Sequence, residues 1–195
     1  MESQVTDLIK MLSAFYPVPI EAQDFLCANS KLRVVKRGEF LLMPGEICEN
    51  YYFICQGALR AFIQDGKKEV TTWISCTNEI ATSIYSMLEK SPSIEYIQAI
   101  RESVLIEQNA QGMEVLFERV PAMNIVVRKL ITSYYRDAEI RSFIARIPSA
   151  EARCQFFLNT FPEKAKVVPK KYIASFLGIR EETLSRVLKK CATSL

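Results

Sequence analysis

The apolar positions of the chain change period twice. Val5, Leu8, Ile9, Leu12 and Phe15 recur three or four residues apart, the stripe of an amphipathic helix, and a second short helix is expected after Pro19. From Lys31 to about Gln108 the runs shorten and become β-rich: Leu32–Val35, Tyr51–Cys55, Leu59–Ile63, Val70–Ile74 and Ile94–Ile97. Arg37-Gly38-Glu39, Pro44-Gly45, Gln56-Gly57 and Asp65-Gly66 punctuate them. Asp65-Gly66 between alternating strands predicts a hairpin of type I′, which needs positive φ at both central residues. Strands at this spacing predict a small antiparallel barrel or sandwich.

The helical period returns at Gln111. Between Val120 and Ile144, the residues Met123, Val127, Leu130, Ile131, Tyr134 and Ala138 share one broad face, and most of the charges lie elsewhere. Pro121 suits a first helical turn, where its missing N–H costs nothing. A helix of about 24 residues is about 36 Å long, more than a small barrel can cover alone. Val127, Leu130, Ile131 and Tyr134 are therefore the expected dimerisation face, the alternative being an ordinary core helix. Ile147-Pro148-Ser149 breaks the pattern and marks a hinge. A further amphipathic helix opens at Ser149 and closes at Phe161-Pro162.

Composition narrows the chemistry. The chain has no histidine, which removes the usual general base and the commonest metal ligand; an enzyme is not expected, nor a cofactor or a metal. A histidine-bearing β-barrel of the cupin kind is disfavoured on the same ground. The six cysteines, at 27, 48, 55, 76, 154 and 191, include no CxxC pair, so free thiols are expected, with Cys191 the most exposed. No apolar run is long enough for a membrane span and no secretory signal is evident, which predicts a cytoplasmic protein with no membrane partner. Charge is uneven. Residues 148–195 carry nine Lys/Arg and four Asp/Glu, against sixteen and eighteen in the rest, the footprint of a nucleic-acid-binding end.

That basic end contains one strong pattern. Pro169 stands where a helix can begin, and Ile173, Ala174 and Leu177 fall on one buried face. Ala174 is small enough for two helices to cross closely. Gly178 permits a left-handed exit, Ile179 plugs the angle, and Leu184, Val187 and Leu188 line the inner face of a second helix. The outer face carries Glu181, Glu182, Ser185, Arg186 and Lys189. These constraints coincide in one register and predict a helix-turn-helix centred on Tyr172 to Lys190. Its expected DNA-facing residues are Lys170, Lys171, Tyr172, Arg180, Glu181, Glu182, Thr183, Ser185, Arg186 and Lys189.

With these motifs in place, the chain resembles the Crp–Fnr family of transcription regulators over nearly its whole length. Gly38-Glu39-Phe40-Leu41 leading to Pro44-Gly45-Glu46 is similar to the family's first β-roll signature. Tyr52-Phe53-Ile54-Cys55-Gln56-Gly57 is similar to its next strand and turn. The resemblance implies an α+β chain: an N-terminal antiparallel β-roll of the cyclic-nucleotide-binding kind, a long dimerisation helix, and a C-terminal winged-helix-like helix-turn-helix domain. On that reading residues 1–119 are the β-roll sensor with flanking helices, 120–146 the dimerisation helix, and 147–195 the DNA-binding domain. The implied partners are double-stranded DNA, a second copy of the chain, RNA polymerase and a small-molecule effector of unknown identity. Glu181, Glu182, Thr183 and Arg186 take the places of the family's reading residues.

Two departures qualify the resemblance. Nucleotide-binding members grip the phosphate with an Arg-Ser/Thr-Ala after a Gly-Glu pair, whereas no arginine lies here between Arg60 and Arg101. A buried phosphodiester needs a fixed cationic fork, so the usual cyclic-nucleotide binding is not expected. The corresponding segment offers Glu79, Thr82, Ser83, Tyr85 and Ser93 as effector-binding candidates, with Lys90 as its cation. The first DNA-reading position is Glu181 where many members have arginine, with Arg180 one residue earlier, so the family's operator does not carry over; the chain also runs only five residues past Lys190, which predicts a missing or reduced wing. Two alternatives stay open: a cyclic-nucleotide-responsive regulator in which Lys90 or a backbone nest replaces the arginine, and a protein-interaction module that no longer binds DNA.

Overall fold

The computed structural model describes residues 2–192. The side chains of residues 191 and 192 lie outside the described part, and with them the expected exposure of Cys191, as does the end of the chain where a reduced wing is expected. The chain opens with α1 (Glu2–Ser13) and α2 (Ile20–Asn29), followed by β1 (Lys31–Val35), β2 (Phe40–Leu42), β3 (Asn50–Gln56), β4 (Ala58–Asp65), β5 (Lys68–Cys76) and β6 (Ile80–Ala81). A short helix α3 (Ile84–Glu89) precedes β7 (Tyr96–Ala99) and β8 (Ser103–Asn109). The rest is helical: α4 (Ala110–Arg119), α5 (Ala122–Arg146), α6 (Ala150–Thr160), α7 (Pro162–Val167), α8 (Lys170–Leu177) and α9 (Glu181–Ala192).

Two four-stranded sheets run in the orders β1-β8-β3-β6 and β2-β7-β4-β5. In the first, β8 pairs antiparallel with β1 from Lys31↔Glu107 to Val35↔Ser103 and with β3 from Asn50↔Asn109. Strand β8 was not among the runs read from the sequence. Its consecutive residues Leu105 and Ile106, which point to opposite faces of the sheet, are both fully buried, so the strand is covered on both faces there and shows no clean alternation.

One face of that sheet is closed by helices. Val5, Leu8 and Leu12 of α1, Ala22 and Leu26 of α2, Leu116 of α4 and Met123, Val126 and Leu130 of α5 form a single cluster with Phe53 and Ile106. The i, i+3, i+4 spacing of each helix turns its stripe toward the sheet. Asn109 starts α4 by accepting the Gln111 N–H at 3.0 Å, and Ser149 caps α6 on Ala152 in the same way.

Glycine is required at one corner of the roll. Gly57 has φ of 112°, and a β-carbon there would lie 2.7 Å from the Ser103 Cα and closer still to its hydroxyl. The Ser103 hydroxyl lies beside this corner, accepts the Ala58 N–H and donates to the Arg101 carbonyl. The β4–β5 hairpin differs from expectation. Its turn residues are Gly66 and Lys67, and only Gly66 has positive φ, which fits a type II′ turn with glycine first rather than type I′.

The chain divides into two compact units, Met1–Ala61 with Ile74–Tyr134, and Phe62–Trp73 with Tyr135–Leu195. No helix among the described residues is long and apolar enough to cross a membrane. The described cysteines, 27, 48, 55, 76 and 154, are free thiols.

Candidate nucleic-acid interface

Helix α8 begins after Pro169, which has no N–H to leave unpaired. It buries Tyr172, Ile173, Ala174 and Leu177. At its end Gly178 adopts φ 63° and ψ 37°. The Ile179 N–H bonds to the Ala174 carbonyl at 3.0 Å and the Gly178 N–H to the Ser175 carbonyl at 3.1 Å. This pair of bonds is a complete Schellman turn, and glycine takes its left-handed position without steric cost.

The turn delivers the chain into α9. The Arg180 carbonyl accepts from Thr183 and Leu184, so Arg180 stands at the helix start, and Glu181 and Glu182 fill the first turn, where negative charge complements the helix dipole. Leu184 and Val187 are buried. They face the core built by α8 and by Cys154 and Phe157 of α6, whose Phe157 ring lies 5.6 Å from those of Phe161 and Phe176.

Opposite that buried line, Glu181, Glu182, Ser185, Arg186, Lys189 and Lys190 border one open concavity along the helix. The sequence reading named the first five and missed Lys190, whose position one turn beyond Arg186 is the signal that would have found it. Lys190 holds Glu151 of α6 at 2.9 Å. This hydrogen bond and the lysine's charge, with Arg186 contributing, pull the Glu151 carboxyl below its ordinary value of 4.5. The pair is exposed and joins α9 to α6, and solvent screening keeps its contribution small.

Of the remaining expected DNA-facing residues, Lys170, Lys171 and Arg180 are exposed and Thr183 is half-buried. Tyr172 requires a correction. It is only 8% exposed, turned with Ile173 into the helical core, and Lys171 Nζ lies 4.6 Å from its ring centroid. It follows the exposed Lys170 and Lys171 directly, but α8 turns by about 100° per residue, which carries it inward.

The effector candidates do not stand as a set of free polar groups. Glu79 accepts the Cys76 N–H at 2.9 Å in the β5–β6 turn. The Thr82 hydroxyl donates to the Asn50 carbonyl and Ser83 is buried. Ser93 closes a local turn through both the N–H and the carbonyl of Glu95. Tyr85 and Lys90 are exposed, and Lys90 ends α3 in a left-handed conformation. The cation inside the roll is one that the sequence reading passed over. Arg60 of β4 is 2% exposed, and its Nε and Nη2 both donate to Gln98 Oε1, at 3.2 and 2.8 Å. A lone arginine within Ala58-Leu59-Arg60-Ala61-Phe62 was the available signal.

The expected dimer face also needs correction. Leu130 is 9% exposed and belongs to the helix-covered core, and the Tyr134 hydroxyl accepts the Ile80 N–H at 2.6 Å. Both are used within the protomer. Val127 is half-buried, while Ile131 and Tyr135 are 59% and 73% exposed. The apolar face of α5 is broad enough to wrap two sides of the helix, and sequence spacing could not tell which side its own protomer covers.

Comparison with known proteins agrees with this architecture. No family model matches the chain. The transcriptional activator protein Anr of Pseudomonas aeruginosa is 23% identical over 170 residues, 81% of this chain and 69% of that protein. Anr of Pseudomonas protegens is 22% identical over the same shares. Among solved structures, FixK2 from Bradyrhizobium japonicum superposes with a TM-score of 0.72 at 18% identity, over 85% of each chain. The resemblance to the Crp–Fnr regulators is borne out. The c-di-GMP responsive global regulator CLP of Xanthomonas campestris shares the fold as well, at TM-score 0.68 and 14% identity over 90% of this chain and 93% of that one. Together these likenesses support the α+β reading, with antiparallel sheets ahead of a C-terminal helix-turn-helix.

Proposed function

We propose that the protein is a homodimeric, DNA-binding transcription regulator of the cytoplasm, which reads operator DNA with α9. The observation that carries this reading is the α8–Gly178–α9 unit. Its inner face is apolar and closed, and its outer face presents two carboxylates, a serine, an arginine and two lysines with no apolar side chain among them. Arginine can bond guanine O6 and N7 together, and a carboxylate can accept from cytosine N4, so Arg186 and Glu182 are the base readers. Lys170, Lys171 and Lys189 contact phosphates, which position the protein without reading sequence. Anr of two Pseudomonas species, a transcriptional activator, is the relative that supports this role.

The dimer pairs through the side of α5 that its own protomer leaves open, with Val127, Ile131 and Tyr135 at its centre. Domain boundaries follow the hinge, with residues 147–195 as the DNA-binding domain. The roll does not hold a cyclic nucleotide in the usual way, since the 79–95 segment has no arginine and Glu79, Thr82 and Ser93 are engaged by the chain itself. Selection of bound duplexes from random DNA tests the whole reading. A two-fold symmetric consensus is expected, with affinity falling steeply as salt rises. Failure to enrich any sequence, or affinity indifferent to salt, would leave the protein without a DNA-reading role.

A further inference from the structure

Helix α3 is built inside out. Its inward residues are Ser86 and Met87, both buried. The Ser86 hydroxyl accepts the Cys48 N–H at 3.0 Å and donates to the Ser91 carbonyl at 2.6 Å, so a polar side chain fastens the helix to the segment ahead of β3. Ile84, Tyr85 and Leu88, at spacings of three and four, share the opposite face and are exposed. A surface helix ordinarily buries its apolar stripe and turns its polar residues to solvent; α3 does the reverse.

Neighbouring segments extend this face. The Gly45 N–H bonds to the Ser93 carbonyl at 2.9 Å and the Ser93 N–H to the Glu46 carbonyl at 2.8 Å, which joins residues 43–47 to the loop after α3. Met43, Ile47 and Ile94 stand exposed on these two segments. With the three helix residues they make six large apolar side chains, 44% to 70% exposed. That is on the order of 700 Å² of apolar surface, taking about 200 Å² for a large side chain. The largest apolar patch of a typical monomer covers about 300–600 Å², and larger ones mark interaction sites. Charge narrows the occupant. Residues 43–49 and 84–95 contain four glutamates and one lysine, in a chain whose net charge is +3, and Glu46, Glu49 and Glu89 are exposed. Such a rim repels DNA and anionic lipid, and two copies of the face set against each other would bring like charges together.

We propose that the outer face of α3 is a docking site for a partner protein that presents a basic amphipathic helix. The apolar stripe of that helix packs on Ile84, Tyr85 and Leu88, and its lysines or arginines meet the glutamate rim. Apolar burial supplies affinity, while the rim sets partner choice and speeds association. The face is smaller than the about 800 Å² per partner of a standard stable interface, which suits a transient contact. It lies in the compact unit that holds most of the roll, with α8 and α9 in the other, so docking and DNA reading succeed or fail independently.

Two synthetic peptides of about 20 residues, long enough to hold a helix, test it by calorimetry on the full chain. One sets a leucine stripe against lysines, and the other replaces every lysine by glutamate. The lysine peptide should bind at least about tenfold more tightly at low salt, an advantage that shrinks as salt rises. Leu88→Ser should leave the melting temperature unchanged and weaken the lysine peptide about tenfold, the worth of one apolar anchor. Tyr85→Ser repeats the test on the same face, and Glu46→Gln/Glu89→Gln should weaken binding and flatten its salt dependence. Equal affinity for the two peptides, no binding of either, or undiminished binding by both serine variants would overturn the proposal. Two further outcomes would reassign the face and overturn it as well. A lower oligomeric state of Leu88→Ser in sedimentation would give it to a second copy of the chain, and co-sedimentation of wild type but not Leu88→Ser with phosphatidylcholine vesicles would give it to lipid.

Discussion

Adjacent residues on α5 should respond to truncation in opposite ways. Leu130→Ala removes most of a side chain that is 9% exposed within the core of α1, α2, α4 and the first sheet, and such a deletion costs about 3 kcal/mol of folding stability. Ile131→Ala acts on a side chain that is 59% exposed in the protomer, so its cost to the protomer is within about 0.5 kcal/mol. In the dimer the balance reverses. Fully burying an isoleucine contributes about 1.5–3 kcal/mol, and Ile131 has rather more than half of its surface left to bury. In the proposed dimer two copies meet across a two-fold axis, so the expected loss on truncation is about 2 kcal/mol, or about 30-fold in the dimer dissociation constant. Urea unfolding at fixed protein concentration reads the first quantity and sedimentation equilibrium across a dilution series reads the second. A Leu130→Ala protein of normal stability but weakened association, with Ile131→Ala associating normally, would refute this assignment of the two faces.

The reading helix, the roll and the α6–α9 brace give further tests. Arg186→Ala should cost about 1–3 kcal/mol of specific binding and relax one position per half-site, whereas Lys171→Ala should weaken all sequences alike and reduce the salt slope by about one; uniform weakening by Arg186→Ala would reassign it to phosphate. Gly57→Ala forces a β-carbon against the Ser103 backbone at positive φ, and should cost about 3 kcal/mol, measured as a lowered urea midpoint. Cyclic AMP or cyclic GMP at millimolar concentration should leave the melting temperature unchanged, because a ligand at one hundred times its dissociation constant would add about 2.7 kcal/mol and be plain to see. The Glu151 carboxyl should titrate below 4.5 by NMR, and return toward that value in Lys190→Ala. Its folded value is depressed, so any stabilisation from the pair is present at neutral pH and is lost as pH falls through that folded value.

What the sequence made legible, and what it did not, separates along physical lines. The helix-turn-helix was readable because its constraints are local. Ala174, Gly178, Leu184 and Val187 all lie within fourteen residues, and each is dictated by a helix crossing or by the turn itself. The strands were readable where a β-rich run stands between turn signals such as Gln56-Gly57 and Asp65-Gly66. β8 escaped because its apolar run is only Val104 to Ile106 before Glu107, and Arg60 escaped because burial of a charge depends on a partner, Gln98, that only the sheet brings near. Leu130 and Tyr134 of the expected dimer face are engaged within the chain for a related reason. Periodicity says how wide an apolar stripe is, but the protomer takes its share first, and in α5 it takes Met123, Val126 and Leu130. Contacts between residues far apart in sequence therefore escape a local reading, as where Ser175 joins residues 69–71 across about a hundred positions. No window on the sequence reveals such a contact, since a serine on a helix surface carries no signal until a strand lies against it.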